Sequence, residues 1–224
     1  MTYVCTSCSA IAEERIGFCP SCGRFSSFMP LVKRPIDDVI VDEKIISINN
    51  LRVRVTEYLI LRDYKWLKIP KKFSLMIYGS PGAGKSCFML RFAENLCSSG
   101  RVLYNSLEEG WGVSFCEKLK FLELVSAFDV CSINSVNILL GKLKSYDFLF
   151  FDSLTQSSLT AVDVAKIMRE FEISVIFSVH QTKSGDYVGS SSLAHYVDVL
   201  LFCEDKKILI EKSRYQEKEG DYGI

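Results

Sequence analysis

The chain reads as an α/β protein with a mostly parallel sheet, in which a phosphate-binding core follows a small four-cysteine module. Three features predict this. An apolar strand runs into the loop Gly79-Ser-Pro-Gly-Ala-Gly-Lys85-Ser86 and then into an amphipathic helix. Later runs are apolar on both faces and end in polar residues, the pattern of parallel strands covered by helices. Ahead of them, four cysteines crowd into the first 22 residues. The expected division is 1–34 for the cysteine module, 35–72 for a linker and lead-in, and 73–224 for the core.

Cys5 and Cys8 form one C-x-x-C knuckle, Cys19 and Cys22 another, with ten residues between them. Two such knuckles present four soft ligands, which suit tetrahedral zinc in a closed structural site. Gly23 permits a positive φ just past the last sulfur. A redox motif or a pair of disulfides is the competing reading, but this segment is too short for a thioredoxin-like unit. The nine cysteines are an odd number, and MTYVCTSCSA has no cationic stretch leading into an apolar one. Both facts favour a reducing compartment, so a cytoplasmic location is expected. Arg15, Arg24, Lys33 and Arg34 outnumber Glu13 and Glu14, a slight lean toward phosphate. A folded peg for protein contacts is the plainer alternative. Pro30 and Pro35 bracket the way out of the module.

In the lead-in, Asp37 to Ile48 suits a strand or a docking linker. Thr56 is expected to cap a helix through Leu67 that Pro70 stops. Residues 51–72 carry Arg52, Arg54, Arg62, Lys65, Lys68, Lys71 and Lys72, with Tyr58, Tyr64 and Trp66 interleaved. Basic plus aromatic suits nucleic acid. A solvated face with its aromatics turned inward fits the same pattern and is favoured.

The core opens with a strand from Phe73 to Tyr78. The run Gly79, Ser80, Pro81, Gly82, Ala83, Gly84, Lys85, Ser86 and Cys87 is then the expected cradle for a nucleoside triphosphate. Its glycines let backbone N–H groups wrap phosphates, and the helix that follows, to about Cys97, adds its positive dipole end. Lys85 is expected at the β/γ-phosphates and Ser86 at Mg²⁺. A second strand, Arg101 to Ser106, ends in Glu108 and Glu109. Glu108 is assigned to orienting and deprotonating water, and Glu109 to the start of the next helix. Tyr146 to Ser153 is a buried strand that delivers Asp152 to the metal edge of the site. Ile173 to Val179 is another, and it delivers His180, either a γ-phosphate sensor or a core histidine. Val197–Cys203 and Lys206–Glu211 form an edge hairpin leading into Lys212-Ser-Arg214-Tyr215. The remaining cysteines (Cys87, Cys97, Cys116, Cys131 and Cys203) read mainly as core fillers.

Composition narrows the function classes. With 27 basic and 27 acidic residues, the chain is not a simple DNA-coating protein, although a local patch or ring lumen can still gather cations. No apolar run approaches the ~20 residues of a membrane-spanning helix, so no membrane partner is expected.

In this order the motifs resemble RadA/Sms, the bacterial recombination ATPases of the RecA-like superfamily, over nearly the whole length. The ribbon, GSPGAGKS, LYNSLEEG, FFDS, HQTKSG, LAHYVDVLLF and KSRY all have counterparts there. The resemblance implies a RecA-like core, with zinc at Cys5, Cys8, Cys19 and Cys22. It implies ATP and Mg²⁺ at Gly79 through Ser86 with Asp152, and Lys85, Glu108 and Asp152 as the catalytic set. Lys212 and Arg214 match a basic pair that reaches a neighbouring subunit's nucleotide. The loop after His180, through Ser192, matches one that faces DNA.

The implied whole is a DNA-stimulated ATPase acting on single-stranded or branched DNA in recombination and repair, as a homo-oligomeric ring, a hexamer. There are departures. Lys65-Trp-Leu-Lys-Ile-Pro70 stands where a glycine-rich turn is usual, and Ser213, Tyr215 and Gln216 replace Asn, Phe and Gly of the signature. A Lon-protease-like domain is the family's usual C-terminal part, and the chain ends nine residues after Tyr215. Two alternatives stay open: an ATP-driven assembly or recruitment module with little hydrolysis, and a clock-type signalling ATPase.

Overall fold

Strands that are apolar on both faces must lie in a sheet covered on both sides, and the computed structural model has that arrangement. It describes residues 57–156, 159–182, 192–217 and 221–223, together with three short strands: β1 (Tyr3–Cys5), β2 (Ile11–Ala12) and β3 (Phe28–Pro30). The chain divides into two units, Met1–Val55 and Thr56–Ile224.

In the first unit, β1 pairs antiparallel with β2 on one side and β3 on the other. Cys5 ends β1, whereas Cys8, Cys19 and Cys22 lie outside the described residues, as does the Asp37–Ile48 segment.

The second unit holds an eight-stranded sheet. Its strands are β4 (Ser74–Gly79), β5 (Val102–Ser106), β6 (Asp129–Cys131), β7 (Phe148–Asp152), β8 (Ser174–His180), β9 (Val199–Glu204), β10 (Lys207–Ser213) and β11 (Asp221–Gly223). Their order is β11-β10-β9-β4-β8-β7-β5-β6. From β9 to β6 all pairings are parallel, and β10 and β11 add an antiparallel edge. The expected hairpin is therefore present as β9–β10.

Alternation along each strand splits the core between the faces. Leu75 and Ile77 of β4 pack with Phe88 and Phe92 of helix α1 (Lys85–Leu96). Met76 and Tyr78 belong to the other layer, with Phe151, Phe177 and Ile167. The helices between strands are α2 (Val113–Leu122), α3 (Val136–Leu140), α4 (Ala161–Phe171) and the short α5 (Ser192–Tyr196). Helix α4 starts on a capping box, in which the Asp163 N–H donates to Thr160 Oγ1 and Thr160 N–H to Asp163 Oδ2.

The expected helix through Leu67 does not form. Among the described residues, 57–72 make turns in which Tyr58 bridges Pro70 and Leu59 N–H donates to Ile69 O at 2.8 Å. The backbone groups that a helix would use are committed to distant partners. Asp63 N–H donates to Asn95 Oδ1 at 3.1 Å, Trp66 O accepts from Gln216 Nε2 at 2.8 Å, and Lys68 N–H donates to Gln216 Oε1. Leu61, Tyr64, Leu67 and Ile69 join the core around Phe88 and Phe92, which is the inward-facing aromatic reading for Tyr64. The cations outside pair locally, Arg62 with Asp63 and Lys71 with Glu57.

Candidate nucleotide site

The carboxyl ends of β4, β5, β7 and β8 sit at one edge of the sheet, where open α/β folds bind ligands. Gly79 closes β4 against β9 so tightly that a Cβ there would lie 2.0 Å from the Cys203 carbonyl oxygen, so only glycine fits. Gly82 (φ 79°) and Gly84 (φ 110°) take left-handed conformations that turn the loop. Helix α1 follows with no side-chain cap, which leaves its first N–H groups for an anion. The loop is pinned from below, since Lys206 N–H (3.0 Å) and the Cys203 thiol (3.2 Å) both donate to Ala83 O.

Lys85 curls back into this loop and donates to the carbonyls of Gly79 and Ser80, each at 2.8 Å. Burial pushes its pKa below the ordinary range, while Cys203, Glu108 and Asp152 act in the opposite direction. The Ser86 hydroxyl donates to Asp152 Oδ1 at 3.1 Å, and Ser178 Oγ approaches the same oxygen at 3.3 Å. Ser178 also accepts the Ser153 N–H at 2.7 Å, holding the turn where Ser153 takes φ 66°. Asp152 is 2% exposed, and this desolvation raises its pKa. The Tyr104 phenol, the Lys118 charge and the Ser86 hydroxyl oppose the rise, and Glu109 adds to it. Tyr104 acts by proximity, because its buried hydroxyl has no partner in hydrogen-bond geometry. A hydroxyl and a carboxylate side by side are hard oxygen donors, the ligand chemistry of Mg²⁺.

These groups line a cavity of about 270 Å³ that also takes in Glu108, Glu109, Lys118 and His180. Glu108 Oε2 faces His180 Nε2 at 3.3 Å. His180 is half-buried at the tip of β8, not inside the core, and its Nδ1 is buried with no partner. Glu109 departs from its expected role. The next helix starts at Val113 behind Gly112 with no acid in its first turn, so Glu109 serves no macrodipole there. It turns into the cavity instead and binds Lys118 at 2.6 Å. Ser80 Oγ reaches Gln181 Oε1 at 3.2 Å across the loop mouth. Cys87 lines the cavity half-buried while packing against the core, and Cys116 is exposed and no core filler; Cys203 is the fully buried thiol among the five.

Lys212 and Arg214 are not brought to this cavity. They sit at the opposite edge of the sheet, where Lys212 Nζ donates to the carbonyls of Ala194, His195 and Val197 and Arg214 pairs with Asp198 at 3.3 Å. A more apolar cavity of about 360 Å³, lined by Met168, Leu193, Tyr196 and Arg214 among others, lies at that edge. The loop beyond Thr182, with Lys183, lies outside the described residues.

Ser178 and Lys118 escaped sequence reasoning. Ser178 had a signal: it stands two residues before His180 on one strand, hence on the same face. Lys118 had none, since a helix lysine is ordinarily a solvent residue. Among the described residues, no group of three or more His, Cys, Asp or Glu side chains is arranged to hold a metal ion, and no helix is long and apolar enough to cross a membrane.

A parallel sheet with this loop, this carboxylate at the tip of the strand next but one and an antiparallel edge has an ATPase fold of the RecA type. The chain is similar to RadA proteins: it is 24% identical over 239 residues to the DNA repair protein RadA of Streptococcus pyogenes serotype M3. That match covers 92% of this chain and 52% of the relative, so the chain spans about half the length of the curated relatives it matches. No family model matches. Among solved structures, a KaiC-like protein from Pyrococcus horikoshii superposes with TM-score 0.56 at 15% identity, over 75% of this chain and 94% of that one. A DnaB-like replicative helicase superposes with TM-score 0.54 at 17% identity, over 67% of this chain and 55% of that one.

Proposed function

We propose that the chain is a DNA-stimulated ATP hydrolase acting in recombination and repair on single-stranded or branched DNA, assembled as a homo-oligomeric ring, a hexamer. The observation that carries this reading is the convergence on one cavity of Lys85 and Ser86 from the start of α1, Glu108 from beyond β5 and Asp152 from the tip of β7. In this reading the backbone from Gly79 to Cys87 cradles the polyphosphate, and Lys85 leaves its two carbonyls for phosphate oxygens. Ser86 and Asp152 would hold Mg²⁺, which supplies charge neutralisation at those oxygens when bound. Glu108 orients and deprotonates the attacking water, and His180 holds Glu108 in place and senses the terminal phosphate.

Lys212 and Arg214, remote from the cavity of their own chain, serve the site of a neighbouring copy. In the first unit, Cys5, Cys8, Cys19 and Cys22 form a zinc ribbon.

The test is ATP hydrolysis titrated with single-stranded DNA at two salt concentrations. Turnover that rises with DNA, less so at high salt, supports the reading; turnover unmoved by DNA overturns it. Equal numbers of acidic and basic residues favour a second reading, in which ATP drives assembly or recruitment of a replication or repair partner. Ring formation on ATP with negligible hydrolysis marks that one.

A further inference from the structure

We infer that Lys118 is a second phosphate-binding cation of this site, one that exchanges Glu109 for the terminal phosphate of ATP and so sets the preference for triphosphate over diphosphate. The inference rests on the nucleotide reading above and extends it to a residue that no motif covers.

Lys118 lies on α2, and its side chain is 20% exposed, whereas that of Lys120 on the same helix is 73% exposed. A lysine turned inward gives up hydration that a surface lysine keeps, so it needs a specific anionic partner. Its present partner is half-satisfied. Glu109 Oε1 takes the ammonium at 2.6 Å, while Glu109 Oε2 is buried and bonded to nothing. A partly buried ion pair with an orphaned buried oxygen is poorly compensated and therefore inexpensive to rearrange.

The charge count of the cavity supplies the motive. Glu108, Glu109 and Asp152 line it with three carboxylates, against the two cations Lys85 and Lys118. A triphosphate entering such a space meets repulsion that Lys85 and a divalent ion offset only in part. An ammonium already inside the cavity, on a flexible four-carbon stem, reaches a new anion without crossing solvent.

The test uses the full chain and measures, by calorimetry with Mg²⁺, the affinities for a non-hydrolysable ATP analogue and for ADP. Lys118→Ala should weaken the analogue about 10-fold or more and ADP less than about 2-fold, the loss of one charge-assisted contact to the terminal phosphate. Lys118→Arg should restore most of the difference. Glu109→Gln frees Lys118 and should leave the analogue bound at least as tightly as in the wild type.

A Lys118→Ala protein that melts near the wild-type temperature yet keeps the wild-type ratio of the two affinities overturns the inference. If Lys118→Ala does not fold, Lys118→Arg and Glu109→Gln decide: an Arg variant with a collapsed ratio, or a Gln variant with weakened analogue binding, overturns it as well. A wild-type chain that binds neither nucleotide removes the nucleotide reading itself, a result distinct from an unchanged ratio.

Discussion

The imidazole of His180 faces the carboxylate of Glu108 across 3.3 Å, above the tip of the strand that lies between theirs. A carboxylate held by a strand-tip imidazole has its direction set before any substrate arrives, a requirement for a general base that must meet one water. Glu108→Gln should therefore keep ATP affinity and lose roughly 100-fold or more of the turnover. His180→Ala should lower turnover less, about 10-fold, with ATP affinity near that of the wild type. Single-turnover hydrolysis beside equilibrium binding separates the two effects, and a Glu108→Gln protein that hydrolyses normally removes Glu108 from the role of base.

Asp152 makes a prediction about stability. Burial lifts its pKa above the ordinary 3.8, so the folded chain holds that proton more tightly than the unfolded chain does. The resulting stability is fully present below pH 3.8 and is lost as pH rises through the elevated native value. At neutral pH the ionised carboxylate thus carries a penalty. Asp152→Asn should remove it and raise the melting temperature of the nucleotide-free protein. The same variant should lose the extra stabilisation conferred by ATP with Mg²⁺. Thermal melts with and without nucleotide check both halves.

The distance of Lys212 and Arg214 from their own cavity leads to a mixing experiment. If they serve a neighbouring copy, Lys85→Ala and Arg214→Ala proteins should each be inactive alone. Mixed, they should regain activity, because some interfaces combine an intact cradle with an intact basic pair, about a quarter of them under random assembly. Mixtures that stay inactive while forming rings rule out action between subunits.

The zinc proposal is checked by metal analysis and chelation. One zinc per chain is expected, and its removal, or Cys8→Ser, should unfold the Met1–Val55 unit. The melting of the Thr56–Ile224 unit should move little, because its core is built from its own apolar residues. A chain that purifies without zinc, with both units folded, overturns the ribbon.

Much of this was legible in the linear chain because it depends on local rules. Apolar strand runs announced β4, β5, β7 and β8, the hairpin pattern announced β9 and β10, and the glycine spacing announced the turn into α1. Asp152 and His180 were legible as the polar ends of apolar runs, since a parallel sheet brings such ends to one edge. Spacing alone could not reveal where Glu109 points, that Lys118 turns inward, or that the stretch before Leu67 gives up its helix to Asn95 and Gln216.

The sequence by itself determined the phosphate loop, the parallel strands and the identity of the acids at their tips. Those follow from backbone sterics and the period of apolar residues, which neighbours in the chain settle. Only the tertiary structure decided which charges face one another, that Glu108 meets His180, that Glu109 takes Lys118, and that Lys212 and Arg214 stand at the far edge. Such pairings join residues far apart in sequence, and their energies depend on burial and distance, quantities that exist only once the sheet has formed.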